Sequence, residues 1–182
     1  MSLIELIDNT KTDKDTTHSY IETYENLFRN KKFTSTAVME IGICGGGSIK
    51  LWHDYFPNAI IYGIDILRYD EKINFLNNNN RIKLLLETDA YNMDINNFKE
   101  KFDIIIEDGD HVLSSQIKTI NKFLPLLKED GILIIEDIQK IEHIKELYDN
   151  TPEEYKKYIR HYDLRGNKYR YDDILFVINK GL

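Results

Sequence analysis

The chain has 182 residues, of which 42% are hydrophobic and 30% charged. That composition excludes an intrinsically disordered chain, and no apolar run approaches the roughly 20 residues of a membrane-spanning helix. The 24 basic and 31 acidic residues leave a formal net charge of −7, a poor basis for general nucleic-acid binding, which needs clustered Lys and Arg.

Cys44 is the only cysteine, so no intramolecular disulfide and no Cys-based zinc site can form. The start, M-S-L-I-E-L-I-D, has no basic segment followed by a long apolar one, so no signal peptide is expected and the cytoplasm is the default compartment. No internal repeat or Pro/Ser-rich linker interrupts the chain. A single domain over 1–182 is expected, with 1–33 as an N-terminal helical cap and 37–182 as the core.

In chain order, Ile21, Tyr24, Leu27 and Phe28 share one face of an amphipathic helix. Five short runs rich in Ile, Leu and Val follow: Ala37 to Ile43, Ala59 to Ile66, Ile82 to Leu86, Phe102 to Ile106 and Gly131 to Ile135. These read as buried parallel strands. Helical spacing lies between them, over Ser48 to Tyr55, Tyr69 to Leu76, Asn92 to Lys99 and Ser114 to Leu127, and after the fifth over Ile141 to Tyr148. The Asn77 to Asn80 run reads as a loop insertion without evident chemistry. Arg160 to Leu164 and Ile174 to Asn179 flank Gly166-Asn167 and read as a late hairpin with an antiparallel member. Strands alternating with helices predict an open α/β sheet.

The first strand runs through Glu40 into Gly42-Ile43-Cys44-Gly45-Gly46-Gly47 and then a helix. In α/β sheets ligands bind at the carboxyl ends of strands, where glycines let backbone approach them. The second strand ends at Asp65, placed to accept from the two ribose hydroxyls of a nucleoside. A dinucleotide site prefers G-x-G-x-x-G, whereas the spacing here is G-x-x-G-G-G with an acidic residue two positions earlier. Glu40 suits a cofactor with a cationic amino-acid end. The pattern resembles motif I of class I S-adenosylmethionine-dependent methyltransferases.

The fourth strand ends in Glu107-Asp108-Gly109-Asp110-His111 and the fifth in Glu136-Asp137. Carboxylates packed on one sheet edge repel unless protonated or bridged by a cation. An Asp past one strand is commonly a helix cap; two such strands with a histidine adjacent favour a hard divalent ion such as Mg²⁺. A neutral His111 there could remove a hydroxyl proton. His53 reads as structural, and His143 and His161 as solvated. Tyr20, Tyr24 and Trp52 could flank a sugar or adenine, although such residues at helical spacing are more often core. Lys156, Lys157, Arg160, Arg165, Lys168 and Arg170 form a basic stretch that reads either as solvated surface or as a partner for the phosphates of a nucleotide-linked sugar.

The segment Thr12-Asp13-Lys14 followed by His18-Ser19-Tyr20 and Tyr24 is similar to the N-terminal signature of the metal-dependent sugar O-methyltransferases of macrolide biosynthesis, the mycinamicin and macrocin type, with cephalosporin-hydroxylase-like proteins nearby. The resemblance continues through E-I-G-I-C-G-G-G-S-I-K-L-W, I-I-E-D-G-D-H, I-I-E-D and R-Y-D-D-I-L-F-V-I-N-K; residues 148–170 have no alignable counterpart. It implies a Rossmann-like class I methyltransferase fold: a mostly parallel seven-stranded sheet with helices on both faces and an antiparallel C-terminal strand. It also implies S-adenosylmethionine as donor and Mg²⁺ or a similar divalent cation. On matching positions, Asp108, Glu136 and Asp137 would bind the metal, with His111 the base and Asp108 its competitor for that role. Glu40, Gly42, Gly45 and Asp65 would hold the cofactor, Asp89 and Ala90 would lie near its adenine, and Lys14, Thr17 and Tyr20 belong to a stretch folding over it. The expected reaction is methyl transfer to a sugar hydroxyl on a small molecule, with no nucleic-acid or membrane partner and homo-oligomerisation left open. The alternatives are a catechol-type O-methyltransferase and an NAD-dependent oxidoreductase on the same fold.

Overall fold

The structure is a computed structural model that describes residues 1–68, 73–76 and 79–181. Two helices, α1 (Leu3–Leu6) and α2 (Ile21–Phe28), precede β1 (Ala37–Ile41), which leads into α3 (Gly47–Tyr55) and β2 (Ile60–Ile64). Then come β3 (Ile82–Leu85), β4 (Phe102–Glu107), α4 (Leu113–Phe123) and β5 (Leu127–Ile135). The chain closes with α5 (His143–Asp149), α6 (Glu153–Lys156), β6 (Ile159–Asp163), α7 (Arg165–Lys168) and β7 (Ile174–Asn179).

The seven strands form one sheet in the order β3-β2-β1-β4-β5-β7-β6. The pairs among β1 to β5 are parallel, whereas β7 is antiparallel to both β5 and β6. This is the expected class I methyltransferase topology. Buried parallel strands read as unbroken apolar runs because both faces are covered. In β4, Ile104 and Ile106 face the layer built from Tyr24, Phe28, Ile49 and Trp52, while Ile105 faces the layer of Ile120, Phe123 and Leu147. Tyr20, Tyr24 and Trp52 are fully buried, which bears out the core reading of these aromatics.

Several boundaries differ from expectation. Asn92 to Lys99 forms only a 3-10 turn at Ile95–Asn97, started by the Asp94 carboxylate accepting from the Asn96 amide. The α4 helix stops at Phe123, and Leu127 already pairs with Phe102, so β5 begins earlier than Gly131. The turn between the late strands contains α7. Residues 69–72 of the helix expected over Tyr69 to Leu76 lie outside the described residues, as do Asn77 and Asn78 of the asparagine run; Asn74–Leu76 is a 3-10 turn.

The chain reverses direction across the sheet between β1 and β4, opening a crevice at their carboxyl ends. Gly42 makes this junction possible. Its φ is +82°, and a Cβ there would lie 2.0 Å from the Asp108 carbonyl oxygen. Gly42→Ala should therefore cost about 2 kcal/mol or more of stability, measured from urea unfolding. A loss under about 0.5 kcal/mol, the range of an ordinary surface substitution, would contradict this close approach.

Candidate active site

The glycine turn is held from below by Asp65. Its Oδ2 accepts from the amides of Ile43 (2.9 Å) and Cys44 (3.2 Å), and its Oδ1 from the amide of Leu67 (2.8 Å). The N-terminal segment crosses directly above: a Cβ on Gly47 would lie 2.2 Å from the Lys11 carbonyl. Between turn and segment opens a cavity of about 840 Å³, within the range of small-molecule sites. Gly42, Asp65, Asp89, Ala90, Asp108, His111 and Asp137 line it, together with residues 9–13 and Thr16 of the N-terminal segment.

Behind Asp108 lies a buried charge cluster. The Lys14 ammonium donates to Asp108 Oδ2 at 2.8 Å and to Glu136 Oε1 and Oε2 at 2.8 and 2.7 Å, and lies 3.5 Å from Glu40 Oε1. Lys14 is 1% exposed. The Tyr24 hydroxyl also donates to Glu136 Oε1. Glu40 Oε2 accepts from Ser48 Oγ (2.7 Å) and Trp52 Nε1 (3.2 Å). Burial opposes the charge on Lys14, but Asp108, Glu136 and Glu40 outweigh it and hold its pKa well above the usual value. Burial, then the Asp108 charge, push Glu136 well above the carboxylate range despite Lys14. Burial pushes Glu40 up to about 7, again against the pull of Lys14. The ammonium thus stays charged in a setting of three carboxylates, two of which burial makes harder to ionise.

Asp137 is held separately. Its Oδ1 accepts from the Tyr20 hydroxyl (2.6 Å) and faces His18 Nδ1 (3.4 Å), while Oδ2 lies 3.6 Å from His111 Nε2. His111 and Asp137 both adopt left-handed backbone conformations, φ +57° and +53°. Such strain is concentrated where side chains must be aimed. Asp108, His111 and Asp137 offer ligand atoms within 4.8 Å of one another; Glu40, Asp108 and Glu136 form a second such group, the one Lys14 engages.

The expected site residues thus separate. Gly42, Asp65, Asp89, Ala90, Asp108, His111 and Asp137 share the cavity wall. Glu40, Lys14, Tyr20 and Glu136 are buried behind it, with Glu136 engaged by Lys14 and Tyr24 rather than grouped with Asp137. Thr17 is exposed, and Gly45 has open space where a Cβ would stand; neither is in the cavity wall. Asp89 accepts from the Tyr91 amide (2.9 Å) and Asn92 Nδ2 (2.6 Å), which shapes the loop after β3. Half of the basic stretch is ion-paired, Lys156 with Glu153, Arg165 with Asp163 and Arg170 with Asp172, whereas Lys168 and Arg160 donate to backbone carbonyls and Lys157 lies over the Tyr158 ring. All six residues are partly or fully exposed, in keeping with the solvated-surface reading. Sequence reasoning missed Lys14 as the cation between the carboxylates. The signal was present: the crowded strand ends demanded a cation, and the N-terminal lysine was expected on the same edge.

Residues 32–173 match the methyltransferase-domain family. The chain belongs to that family. Membership replaces the oxidoreductase alternative. Among curated proteins, the chain is 28% identical over 141 residues to 8-demethyl-8-alpha-L-rhamnosyl tetracenomycin-C 2'-O-methyltransferase of Streptomyces olivaceus, covering 70% of this chain and 35% of that protein. It is 30% identical over 134 residues to mycinamicin VI 2''-O-methyltransferase of Micromonospora griseorubida, covering 66% of this chain and 32% of that protein. The chain spans about a third of the length of these curated relatives. Among solved structures, the MycE methyltransferase of the mycinamycin pathway, in complex with Mg, SAH and mycinamycin VI, superposes with a TM-score of 0.75 at 21% identity, covering 98% of this chain and 54% of that one. That likeness concerns the fold. Among the described residues no helix is long and apolar enough to cross a membrane.

Beside the cavity, Glu107 is fully buried, its Oε1 accepting from the Tyr91 hydroxyl (2.6 Å) and the Gly109 amide (3.2 Å), its Oε2 without a partner. Burial pushes its pKa up to about 8, against the Tyr91 hydrogen bond. A folded-state pKa raised this way favours folding fully only below the unfolded value, and the benefit is lost as pH rises toward 8. The melting temperature of Glu107→Gln relative to the parent, measured in EDTA, should therefore rise between pH 5 and pH 8.5. A constant difference across that window would contradict a buried, protonated Glu107.

Proposed function

We propose that the domain transfers a methyl group from S-adenosylmethionine to a hydroxyl of a sugar-type small molecule with the help of a divalent cation. The observation that carries this reading is the single cavity joining the glycine turn and Asp65 to Asp108, His111 and Asp137. Its volume accommodates a nucleoside cofactor beside an acceptor. Asp108 and Asp137 in its wall are hard oxygen donors suited to Mg²⁺ or Mn²⁺, and the His111 imidazole stands beside them. The named sugar O-methyltransferases among the relatives support the acceptor class.

When bound, S-adenosylmethionine would supply the methyl group and the divalent ion would acidify the acceptor hydroxyl. Asp65, with the turn it pins, would bind the ribose, and Asp89 and Ala90 would border the adenine. Asp108 and Asp137 would hold the cation, with Asp137 aimed by Tyr20 and His18. His111 Nδ1 is buried, so Nε2 is the atom that would take the hydroxyl proton. The segment over residues 9–13 would shield the reacting atoms from water. No nucleic-acid partner is proposed, because the chain carries a formal net charge of −7.

Incubation with S-adenosylmethionine, Mg²⁺ and a panel of nucleotide sugars, glycosides and catechols should add one methyl to a sugar member, and EDTA should abolish it. Methylation of catechols alone would overturn the acceptor class, and full activity in EDTA would overturn the cation. Thermal stabilisation by NAD but not by the demethylated cofactor would overturn methyl transfer altogether.

For His111→Ala, the single-turnover rate should fall roughly 10²-fold, with cofactor affinity and melting temperature nearly unchanged. The acidic limb of the rate profile should disappear with the imidazole. A variant that keeps the rate and the limb would move the base role to Asp108. Loss of Mn²⁺ binding instead would make His111 a ligand.

A further inference from the structure

Two groups of potential cation ligands stand side by side at the ends of β1, β4 and β5. The outer group, Asp108, His111 and Asp137, faces the cavity. The inner group, Glu40, Asp108 and Glu136, lies behind it, and Asp108 belongs to both. Sharing a carboxylate between neighbouring cation positions is how two-metal centres are assembled. Here the inner position already holds a charge that belongs to the chain.

We propose that Lys14 is a tethered cation that permanently fills the inner group, so that the chain takes a single exchangeable divalent ion, at the outer group. This rests on the divalent-cation reading above. The ammonium engages Asp108 through Oδ2 alone and Glu136 through both oxygens. Glu40 Oε1 is buried without a hydrogen bond and stands 3.5 Å from Nζ, so it faces the cation as a charge partner. Tyr24 closes the remaining side of Glu136, and Ser48 with Trp52 closes Glu40 Oε2. Lys14 itself is 1% exposed and absent from the cavity wall. It therefore touches neither acceptor nor cofactor, no chelator can remove it, and it acts as a positioning residue for Asp108. A mobile ion in the same place would have to be captured from solution and would compete with the outer ion for Asp108.

The test counts bound Mn²⁺ by electron paramagnetic resonance of the free ion, in the parent chain and in Lys14→Met, without cofactor. The parent should bind one Mn²⁺ and Lys14→Met two, and Mn²⁺ should raise the melting temperature of the variant more than that of the parent. One ion in both, or two in the parent, would overturn the inference while leaving the cation reading intact. No ion in the parent would overturn the cation reading, and the inference with it. Should Lys14→Met not fold, acetylation of the parent chain by an N-hydroxysuccinimide ester, mapped by peptide mass, decides the matter. Lys14 should stay unlabelled in EDTA and in saturating Mn²⁺ while Lys145, 79% exposed, is labelled in both. Labelling of Lys14 on Mn²⁺ addition would mean that the metal displaces it, which overturns the inference.

Discussion

The ammonium of Lys14, enclosed by Glu40, Asp108 and Glu136, decides how the rest of the site can be built. Three parallel strands end together at one edge, and each brings a carboxylate with it. Without a cation among them their burial would be prohibitive, since an unpaired buried charge costs several kcal/mol. Breaking a buried pair by removing one partner typically costs about 3–5 kcal/mol. The same contact fastens the N-terminal segment over the cavity, because Lys14 reaches partners 94 and 122 residues away in sequence. Tyr20 adds a second fastening on Asp137 and Tyr24 a third on Glu136. Charge balance and closure of the cavity thus depend on the same few atoms.

The sheet was legible because its central strands are covered on both faces. Val38-Met39-Glu40-Ile41 and Ile104-Ile105-Ile106 admit almost no polar residue, so length and composition alone distinguish them from loops. Legibility failed where local hydrogen bonds compete with regular structure. Asp89 and Asp94 draw the nearby amides of Tyr91 and Asn96 into turns, and the helix spacing of Asn92 to Lys99 does not develop. It failed again between β6 and β7, where the apolar pattern stops and α7 occupies the space of a tight turn.

Within the site, sequence spacing identified the residues that follow strands but not the direction in which their side chains point. Glu136 and Asp137 are neighbours, yet Asp137 lines the cavity and Glu136 turns to Lys14 behind it. The left-handed φ of Asp137, +53°, helps aim that pair, and no residue type signals it, since neither position is glycine. Glu40 likewise carries the right charge at the right strand end, but Ser48 and Trp52 draw it inward. Asp65 was read as a ribose acceptor; the structure adds that it builds the turn, through two backbone amides of the glycine segment. A substitution there would change the shape of the cavity as well as its polarity.

The most direct measurement of the central claim is an anomalous difference map from crystals of the protein grown with Mn²⁺ and the demethylated cofactor. The account predicts one peak, between Asp108 and Asp137 beside His111, with the Lys14 ammonium still within hydrogen-bonding distance of Glu136. A peak among Glu40, Asp108 and Glu136, with Lys14 swung away, would contradict it.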